Sequence, residues 1–328
     1  MMEFLKNFIE LTRAYTLPIT FASCFIIYSY AHYSSEFYFP AFILLIFALC
    51  CIHLYTNLYD DYKDIKKQIQ KGNKLEDISF TGYIPKAVLI LNKTFSIKQV
   101  RYILGLTSML GLGIGITFAL DAGWPVLFFI IAGIVLILLY PESSKIYCQE
   151  LTVGLIFGPL VIMGGYYALT KEFNSSLLLL SFAIFFATLT LLHAKNIMDW
   201  EFDINAGKKT LAILSGSKEN AIKWLSAIAV IPYVIVVIGV LFNQIFNPSM
   251  LCVFLTLPIY CKLISSMKEY IEVKDVEFNP RWYWGFFENW KTIKEKRIDF
   301  FMFRFYLARN FAFFFALFAA LGVIGVIK

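Results

Sequence analysis

Charged residues make up only 16% of the 328 positions, whereas a soluble domain carries about 25%. Hydrophobic residues make up 59%. That much apolar surface cannot be hidden inside one soluble core of this size, so the composition indicates an integral membrane protein. The same richness excludes a disordered chain, and neither a collagen-like chain nor a small disulfide scaffold fits it. The six cysteines, Cys24, Cys50, Cys51, Cys148, Cys252 and Cys261, form no C-x-x-C pair and mostly sit in apolar runs, which argues against zinc or iron–sulfur ligation. There is no G-x-x-x-x-G-K-[ST] loop, no H-E-x-x-H and no G-x-S-x-G, so nucleotide hydrolysis, metalloproteolysis and lipase chemistry lack their residues. No nucleic-acid-binding motif accompanies the net charge of +6, and no nucleic-acid partner is expected. Lys6 and Arg13 precede the first apolar run, but no short apolar core with a small-residue cleavage site follows. That run reads as a retained span rather than a signal peptide.

What is present is apolar sequence in long pieces. Nine stretches approach the roughly 20 residues needed to cross the hydrocarbon layer: 16–33, 39–58, 101–120, 123–140, 151–170, 176–198, 221–242, 248–266 and 306–327. They are too continuous for barrel strands, which alternate every second residue. The expected fold is therefore all-α, a polytopic bundle of nine transmembrane helices in a single domain over residues 1–328. With the N-terminus inside, 27 of the 29 lysines and arginines fall on the inner side, leaving only Lys171 and Lys328 outside. A wrong span count would mix the two faces, so the positive-inside rule supports nine. Two long inner loops follow, 59–100 and 267–305. The second is rich in aromatics (Trp282, Tyr283, Trp284, Phe286, Phe287, Trp290) and reads first as an interfacial segment at headgroup depth.

Two acidic clusters lie at the inner ends of spans. In the first, Asn57, Asp61 and Asp64 fall at i, i+4 and i+7 and share one helical face if the second span continues, with Asp60 beside that face. In the second, Asn196, Asp199 and Asp203 fall at i, i+3 and i+7. Stacked carboxylates repel one another, more so beside a membrane, so something positive should sit between them. A solvated acidic helix end paired with lysines would explain either cluster alone. Two clusters of the same build at the same depth favour a shared cation. An all-oxygen set of carboxylates and amides suits Mg²⁺, which binds substrate phosphates beside one or two carboxylates. Lys208 and Lys209 follow the second cluster, Lys145 lies between the fourth and fifth spans, and Lys86 and Lys93 lie in the first long loop. Metal flanked by lysines describes a diphosphate pocket, with Lys145 and Lys208 closest to span ends. For any one lysine, positive-inside decoration is the plainer reading. His53 and His193 each precede a cluster on its own span. Either could meet an acceptor hydroxyl, but a satisfied interior histidine is the commoner case.

At these residues the sequence resembles the UbiA superfamily of intramembrane prenyltransferases, and within it the 1,4-dihydroxy-2-naphthoate polyprenyltransferase branch. The resemblance is carried by Arg13–Pro18, the Asn57–Asp64 cluster, Glu150–Tyr167 and, most closely, Asn196–Ala212 (NIMDWEFDINAGKKTLA). It covers roughly residues 8–265. The chain departs from the branch at Asp60 (usually Asn), around Gln68 and Gln70 (where a Gly and an Asp are usual) and at Met198 (usually Arg). The resemblance implies nine helices around a central cavity open sideways to lipid. It implies Mg²⁺-dependent transfer of a polyprenyl chain from an allylic diphosphate to an acceptor, usually aromatic. Asp61, Asp64, Asp199 and Asp203 would be the catalytic, metal-holding carboxylates. Asn57 and Asn196 would help hold the metal–diphosphate, and Lys145 and Lys208 would neutralise it. Tyr140, Tyr166 or Tyr167 could steady an allylic cation, although ordinary packing explains any one ring equally well. The expected partners are a polyprenyl diphosphate, an aromatic acceptor and the lipid bilayer. The expected location is a bacterial cytoplasmic membrane, with the N-terminus and active site on the cytoplasmic side. A benzoate, a glycerol-phosphate lipid or a tetrapyrrole remains an alternative acceptor, and a cation-coupled transporter is the competing class. Transporters place ion sites near the midplane in broken helices, whereas both clusters here lie at span ends.

Overall fold

The computed structural model describes residues 2–75, 87–241, 245–272 and 278–325. Among them there is no strand, and nine helical stretches are long and apolar enough to cross a membrane. They are α1 (Ala14–Ala31), α2 (Phe39–Gln70), α3 (Ile97–Ala122), α4 (Trp124–Ser143), α5 (Gln149–Thr170), α6 (Ser175–Met198), α7 (Lys218–Leu241), α8 (Pro248–Ile271) and α9 (Asp299–Ile324). Each expected span has its helix. α6 is the most enclosed, packed against α5, α7 and α9, while α1 packs on α9 and α5, and α2 on α3. Small side chains let α6 take this place: Ser181, Ala183, Ala187 and Ala194 are all fully buried along it. Small residues are how helices approach closely where lipid tails remove the hydrophobic drive between them.

Two boundaries differ from expectation. Residues 59–70, expected as loop, continue α2. A 32-residue helix is about 48 Å long, well over the roughly 30 Å hydrocarbon layer, so its last turns project from the membrane and hold Asp60, Asp61 and Asp64 on rigid backbone. Likewise the second loop is shorter than 267–305, because helix persists to Glu272 and resumes at Asp299.

α5 is broken midway. Helices Gln149–Leu155 and Val161–Thr170 meet at a π turn, Ile156–Leu160, where Gly158 takes a non-helical conformation and Pro159 has no N–H to give. The kink seats the helix against α6. A Cβ at Gly158 would stand 2.7 Å from the Ser181 carbonyl oxygen. The carbonyl of Phe157 is taken by the Ser23 hydroxyl of α1 at 2.6 Å, as backbone within a membrane requires.

Candidate active site

A cavity of about 240 Å³ opens between α1, α2, α4, α5, α6 and α9. Along α2 its wall runs from Asp60 to Leu49, and along α6 from Asp199 to Thr188. Each run covers twelve residues, the second ending at Asp199 just past α6, so about 16 Å at 1.5 Å per step. The polar end is at the inner ends of these helices. The rest is mainly apolar, lined by Leu49, Ile52, Ile156, Phe157, Val161 and Leu191 with Thr20, His53 and Thr188 among them, and Phe301 and Phe305 of α9 also face the cavity.

The polar end brings the two clusters together. From α2 it takes Asn57 and Asp60. From α6 and the short helix Trp200–Asn205 it takes Asn196, Asp199 and Asp203. The second cluster keeps a helical register across the break at Asp199, because the Asp199 N–H donates to Lys195 O at 3.0 Å and the Asp203 N–H to Asp199 O at 2.9 Å. Two cations already sit among these carboxylates. Lys195 Nζ lies 2.8 Å from Asp199 Oδ2, and Lys208 Nζ lies 2.5 Å from Asp203 Oδ1. Tyr140 lines the same end, its hydroxyl accepting a bond from Gln149 Nε2 at 3.3 Å.

Asn57 is oriented by what it donates. Its amide nitrogen gives one hydrogen to Thr12 O at 3.1 Å and the other to Thr16 Oγ1 at 3.0 Å. Both hydrogens are thereby used, which turns its oxygen away from the N-terminal segment. The same Thr16 hydroxyl lies 2.9 Å from His53 Nε2, and Thr20 Oγ1 lies 2.6 Å from His53 Nδ1. With the Thr16 hydroxyl donating to Arg13 O at 2.8 Å, the consistent tautomer is Nε2–H donating to Thr16 and Nδ1 accepting from Thr20, an assignment made from the network. His53 is thus a buried, satisfied histidine, as expected, and one that also lines the cavity.

The remaining expected residues lie elsewhere. Asp61 is ion-paired with Arg13, and its other oxygen accepts the Ala87 N–H at 3.0 Å. It therefore stitches the N-terminal segment and the first inner loop onto α2. Burial opposes the Arg13 charge, but Asp61 together with Tyr15, Asp60 and Tyr140 outweighs it and holds the guanidinium protonated above the usual arginine range. The guanidinium still lines the cavity rim. Neither Asp61 nor Asp64 belongs to the cavity wall. Lys145 is also outside it. Its ammonium lies 2.5 Å from Glu142 Oε2, and Lys63 and Lys67 pair with the same carboxylate. Lys93 is exposed and outside the wall, and Lys86 lies outside the described residues. Tyr166 is buried within the core.

Lys195 and Gln149 were not named from sequence, and Asp60 and Arg13 were named there without a site role. One signal could have found Asp60. Asn57, Asp60 and Asp64 repeat the 0, 3, 7 spacing of Asn196, Asp199 and Asp203, which the Asn57, Asp61, Asp64 reading does not.

The residues fit a hard cation. Asp199 Oδ1 and Asp203 Oδ2 are buried without a hydrogen-bond partner, and buried oxygens of that kind are costly unless something positive completes them; Asn196 Nδ2, an unpartnered donor, suits a phosphate oxygen instead. Among the described residues, no three acidic, histidine or cysteine side chains are gathered closely enough to hold a metal alone.

Comparison with known proteins decides the family. The model of the UbiA prenyltransferase family matches residues 16–275. The chain belongs to the UbiA prenyltransferase family. It is a prenyltransferase and an integral membrane protein. It is 24% identical over 267 residues to the 1,4-dihydroxy-2-naphthoate octaprenyltransferase of Bacillus subtilis (strain 168), covering 80% of this chain and 81% of that one. Its fold is similar to a solved digeranylgeranylglyceryl phosphate synthase (TM-score 0.59, 15% identity, 98% of this chain and 99% of that one). It is also similar to a UbiA homolog from Aeropyrum pernix K1 in its apo form (TM-score 0.57, 14% identity, 97% and 98%). A third is a UbiA homolog from Archaeoglobus fulgidus bound to GPP and Mg²⁺ (TM-score 0.53, 12% identity, 97% and 99%). At these identities the structures show a shared fold.

Proposed function

We propose that this prenyltransferase moves a polyprenyl group from an allylic diphosphate to an aromatic acceptor, 1,4-dihydroxy-2-naphthoate on the way to menaquinone, in a Mg²⁺-dependent reaction at the cytoplasmic face of a bacterial inner membrane. One observation carries the reading. The cavity is multiply charged at its inner end and mainly apolar beyond it, with no charged carboxylate or lysine among its deeper lining residues, which matches a diphosphate head on a hydrocarbon tail. The naphthoate acceptor rests on the Bacillus relative. Magnesium rests on the orphaned oxygens and on the GPP- and Mg²⁺-bound homolog.

Asp199, Asp203, Asp60, Asn57 and Asn196 would hold the metal with the diphosphate, and Asp61 and Asp64 stand one turn or less away on α2. When bound, Mg²⁺ supplies electrostatic stabilisation of the charge that gathers on the departing diphosphate. Lys195 and Lys208 add cations at the same end, so the bridging oxygen leaves into a preorganised positive field. Tyr140 presents an aromatic face to the cation-like allylic carbon. The apolar wall keeps water from that carbon. Beside His53, one turn deeper than Asn57, the Thr20 hydroxyl oxygen keeps lone pairs that can accept from a phenolic acceptor. With a hydroxynaphthoate, attack by the ring carbon is accompanied by loss of the carboxyl group.

The test is diphosphate release by the purified protein in detergent, with geranylgeranyl diphosphate, Mg²⁺ and either 1,4-dihydroxy-2-naphthoate or 4-hydroxybenzoate. A prenylated naphthol that disappears with EDTA and in Asp199→Ala supports the proposal. Turnover only with a glycerol-phosphate acceptor would keep the chemistry and overturn the acceptor. No turnover of any diphosphate by a monodisperse protein would overturn the reading.

A further inference from the structure

The two lysines of the cavity do not stand in equivalent places. α6 and its C-terminal neighbour Asp199 turn Thr188, Leu191, Leu192, Lys195, Asn196 and Asp199 to the cavity, one face at helical spacing. Lys195 is the deepest charged residue on that face, with only leucine and threonine beyond it. Asp199 starts one turn, about 6 Å, nearer the inner end. The Lys195 ammonium, 2.8 Å from Asp199 Oδ2, therefore reaches the carboxylate from the apolar side. Lys208 comes from the loop after Asn205 and meets Asp203, a further turn along. One cation thus stands at the inner end of the acidic group and the other at its boundary with the apolar wall.

Counting hydrogens shows what remains unused at that boundary. An ammonium has three. Lys195 directs one to Asp199 Oδ2 and one, at 3.5 Å, to Asn196 Oδ1, which leaves a third. The same contact marks Oδ1 as the amide oxygen, so Asn196 presents Nδ2 as its donor. Asn196 is 1% exposed, and this nitrogen is buried without a partner. Two unused donors on adjacent residues therefore meet where the charged part of the cavity ends. A buried donor left unsatisfied is costly, and an acceptor that arrives with the ligand would satisfy both.

On the prenyl-transfer reading, on which this inference rests, the diphosphate lies among the acidic residues and the chain along the apolar wall. The atom at the boundary is then the oxygen that joins the first carbon of the chain to the diphosphate. We propose that Lys195 is a catalytic residue whose ammonium donates to this bridging oxygen, with Asn196 Nδ2 donating to the same phosphate. As the carbon–oxygen bond breaks, both its electrons pass to the bridging oxygen. The ammonium meets the charge that gathers there and keeps its proton. The acceptor carbon supplies the electron pair of the new bond, and a hydroxynaphthoate releases its carboxylate as carbon dioxide. Lys208, at the other end of the acidic group, faces the terminal phosphate, where bond breaking changes the charge less. An interaction that strengthens only in the transition state raises kcat, whereas one present throughout lowers KM. Lys195 therefore acts on kcat and Lys208 on KM.

The test uses the full chain in detergent with Mg²⁺, geranylgeranyl diphosphate and the acceptor that the unmodified protein turns over. Binding is measured apart from turnover, by thermal stabilisation with geranylgeranyl thiolodiphosphate, in which sulfur, a weak acceptor, replaces the bridging oxygen. Lys195→Met should lower the single-turnover rate at saturation about 100-fold or more, the worth of one such donor. Its affinity for the analogue should change by less than about fivefold. Lys195→Arg, which keeps the charge, should recover at least about tenfold of the rate. Lys208→Met should do the reverse, weakening the analogue about tenfold and the saturated rate by less than about fivefold. A Lys195→Met protein that keeps its rate within about threefold, or loses affinity as far as rate, would overturn the assignment. If the folded, unmodified protein turned over no allylic diphosphate, the prenyl-transfer reading would fall and the assignment with it. An active unmodified protein confines any failure to Lys195.

Discussion

Asp203→Asn isolates the charge at the polar end of the cavity without changing its shape. In the protein as it stands, Asp203 Oδ1 takes the Lys208 ammonium at 2.5 Å, while Oδ2 is buried and unpartnered. Asparagine keeps one acceptor for Lys208 and removes the charge. Two effects then oppose each other without metal. The Lys208 pair is lost, although that ammonium is 28% exposed and such a pair is worth about 1 kcal/mol. Repulsion from Asp199 is relieved by a similar amount. Metal-free stability should therefore change by less than about 1 kcal/mol. With Mg²⁺ and inorganic diphosphate the balance is different. A ligand present at 100 times its dissociation constant stabilises the folded state by about 2.7 kcal/mol. If the loss of this carboxylate weakens binding roughly 10- to 100-fold, the same concentration stabilises the variant by only about 0.4 to 1.4 kcal/mol. Thermal unfolding in detergent, titrated with Mg²⁺ at fixed diphosphate, measures the difference directly and needs no turnover. A variant that keeps the full Mg²⁺-dependent stabilisation would show that Asp203 does not hold the metal. A variant that loses several kcal/mol without metal would show that the carboxylate is structural.

Three further outcomes follow from the same geometry. Lys208→Ala should raise the KM for the allylic diphosphate by about tenfold or more, the worth of a charge-assisted hydrogen bond, whereas Lys145→Ala, paired with Glu142 outside the cavity wall, should stay within about twofold; equal effects in steady-state kinetics would contradict this placement. Glu150 is fully buried and accepts the Leu211 N–H at 3.0 Å, tethering the segment that carries Lys208, so Glu150→Ala should cost about 1–3 kcal/mol in thermal stability and raise the diphosphate KM, while Glu150→Gln, which keeps the acceptor, should recover most of both. Gly158→Ala would push a methyl to 2.7 Å from Ser181 O and should destabilise by about 1–3 kcal/mol; an unchanged melting temperature would mean that the kink in α5 relaxes freely.

The span count was readable because the membrane imposes it. Nine apolar runs and the one-sided placement of lysine and arginine are consequences of solvation, and both survive without any knowledge of packing. Their edges were not readable, because hydropathy records where lipid ends and not where helix ends. α2 shows the difference. It becomes polar after Leu58, yet stays helical to Gln70, so the change in sequence marks the membrane surface while the helix continues past it. The kink at Gly158 was equally hidden. A glycine and a proline in adjacent positions signal a break, but the reason for this one, the approach to Ser181 of α6, lies on another helix.

The same limit explains the first acidic cluster. Taking Asn57 as reference on an ideal helix, Asp61 lies about 40° to one side, Asp64 about 20° to the other and Asp60 about 60° to that other side. All of these fit one arc, so spacing within the helix cannot say which edge of the arc faces the cavity. What decides is a residue on a different segment. Arg13, held at φ +52° before α1, engages Asp61 on one edge and leaves Asn57 and Asp60 toward the cavity. The departure from the branch at Asp60 therefore falls on the carboxylate that the structure turns inward. If Asp60 is used with the metal, Asp60→Asn, which restores the usual residue of the branch, should weaken Mg²⁺–diphosphate stabilisation without affecting the Arg13–Asp61 pair. Breaking that pair should act differently. In a double-mutant cycle on thermal stability, Arg13→Ala and Asp61→Asn should couple by about 1 kcal/mol or more, and Arg13→Ala with Asp60→Asn, whose charge the guanidinium also feels, should couple more weakly. Strong coupling of Arg13 to Asp60 and none to Asp61 would mean that α2 is rotated the other way in solution, and would return Asp61 to the cavity.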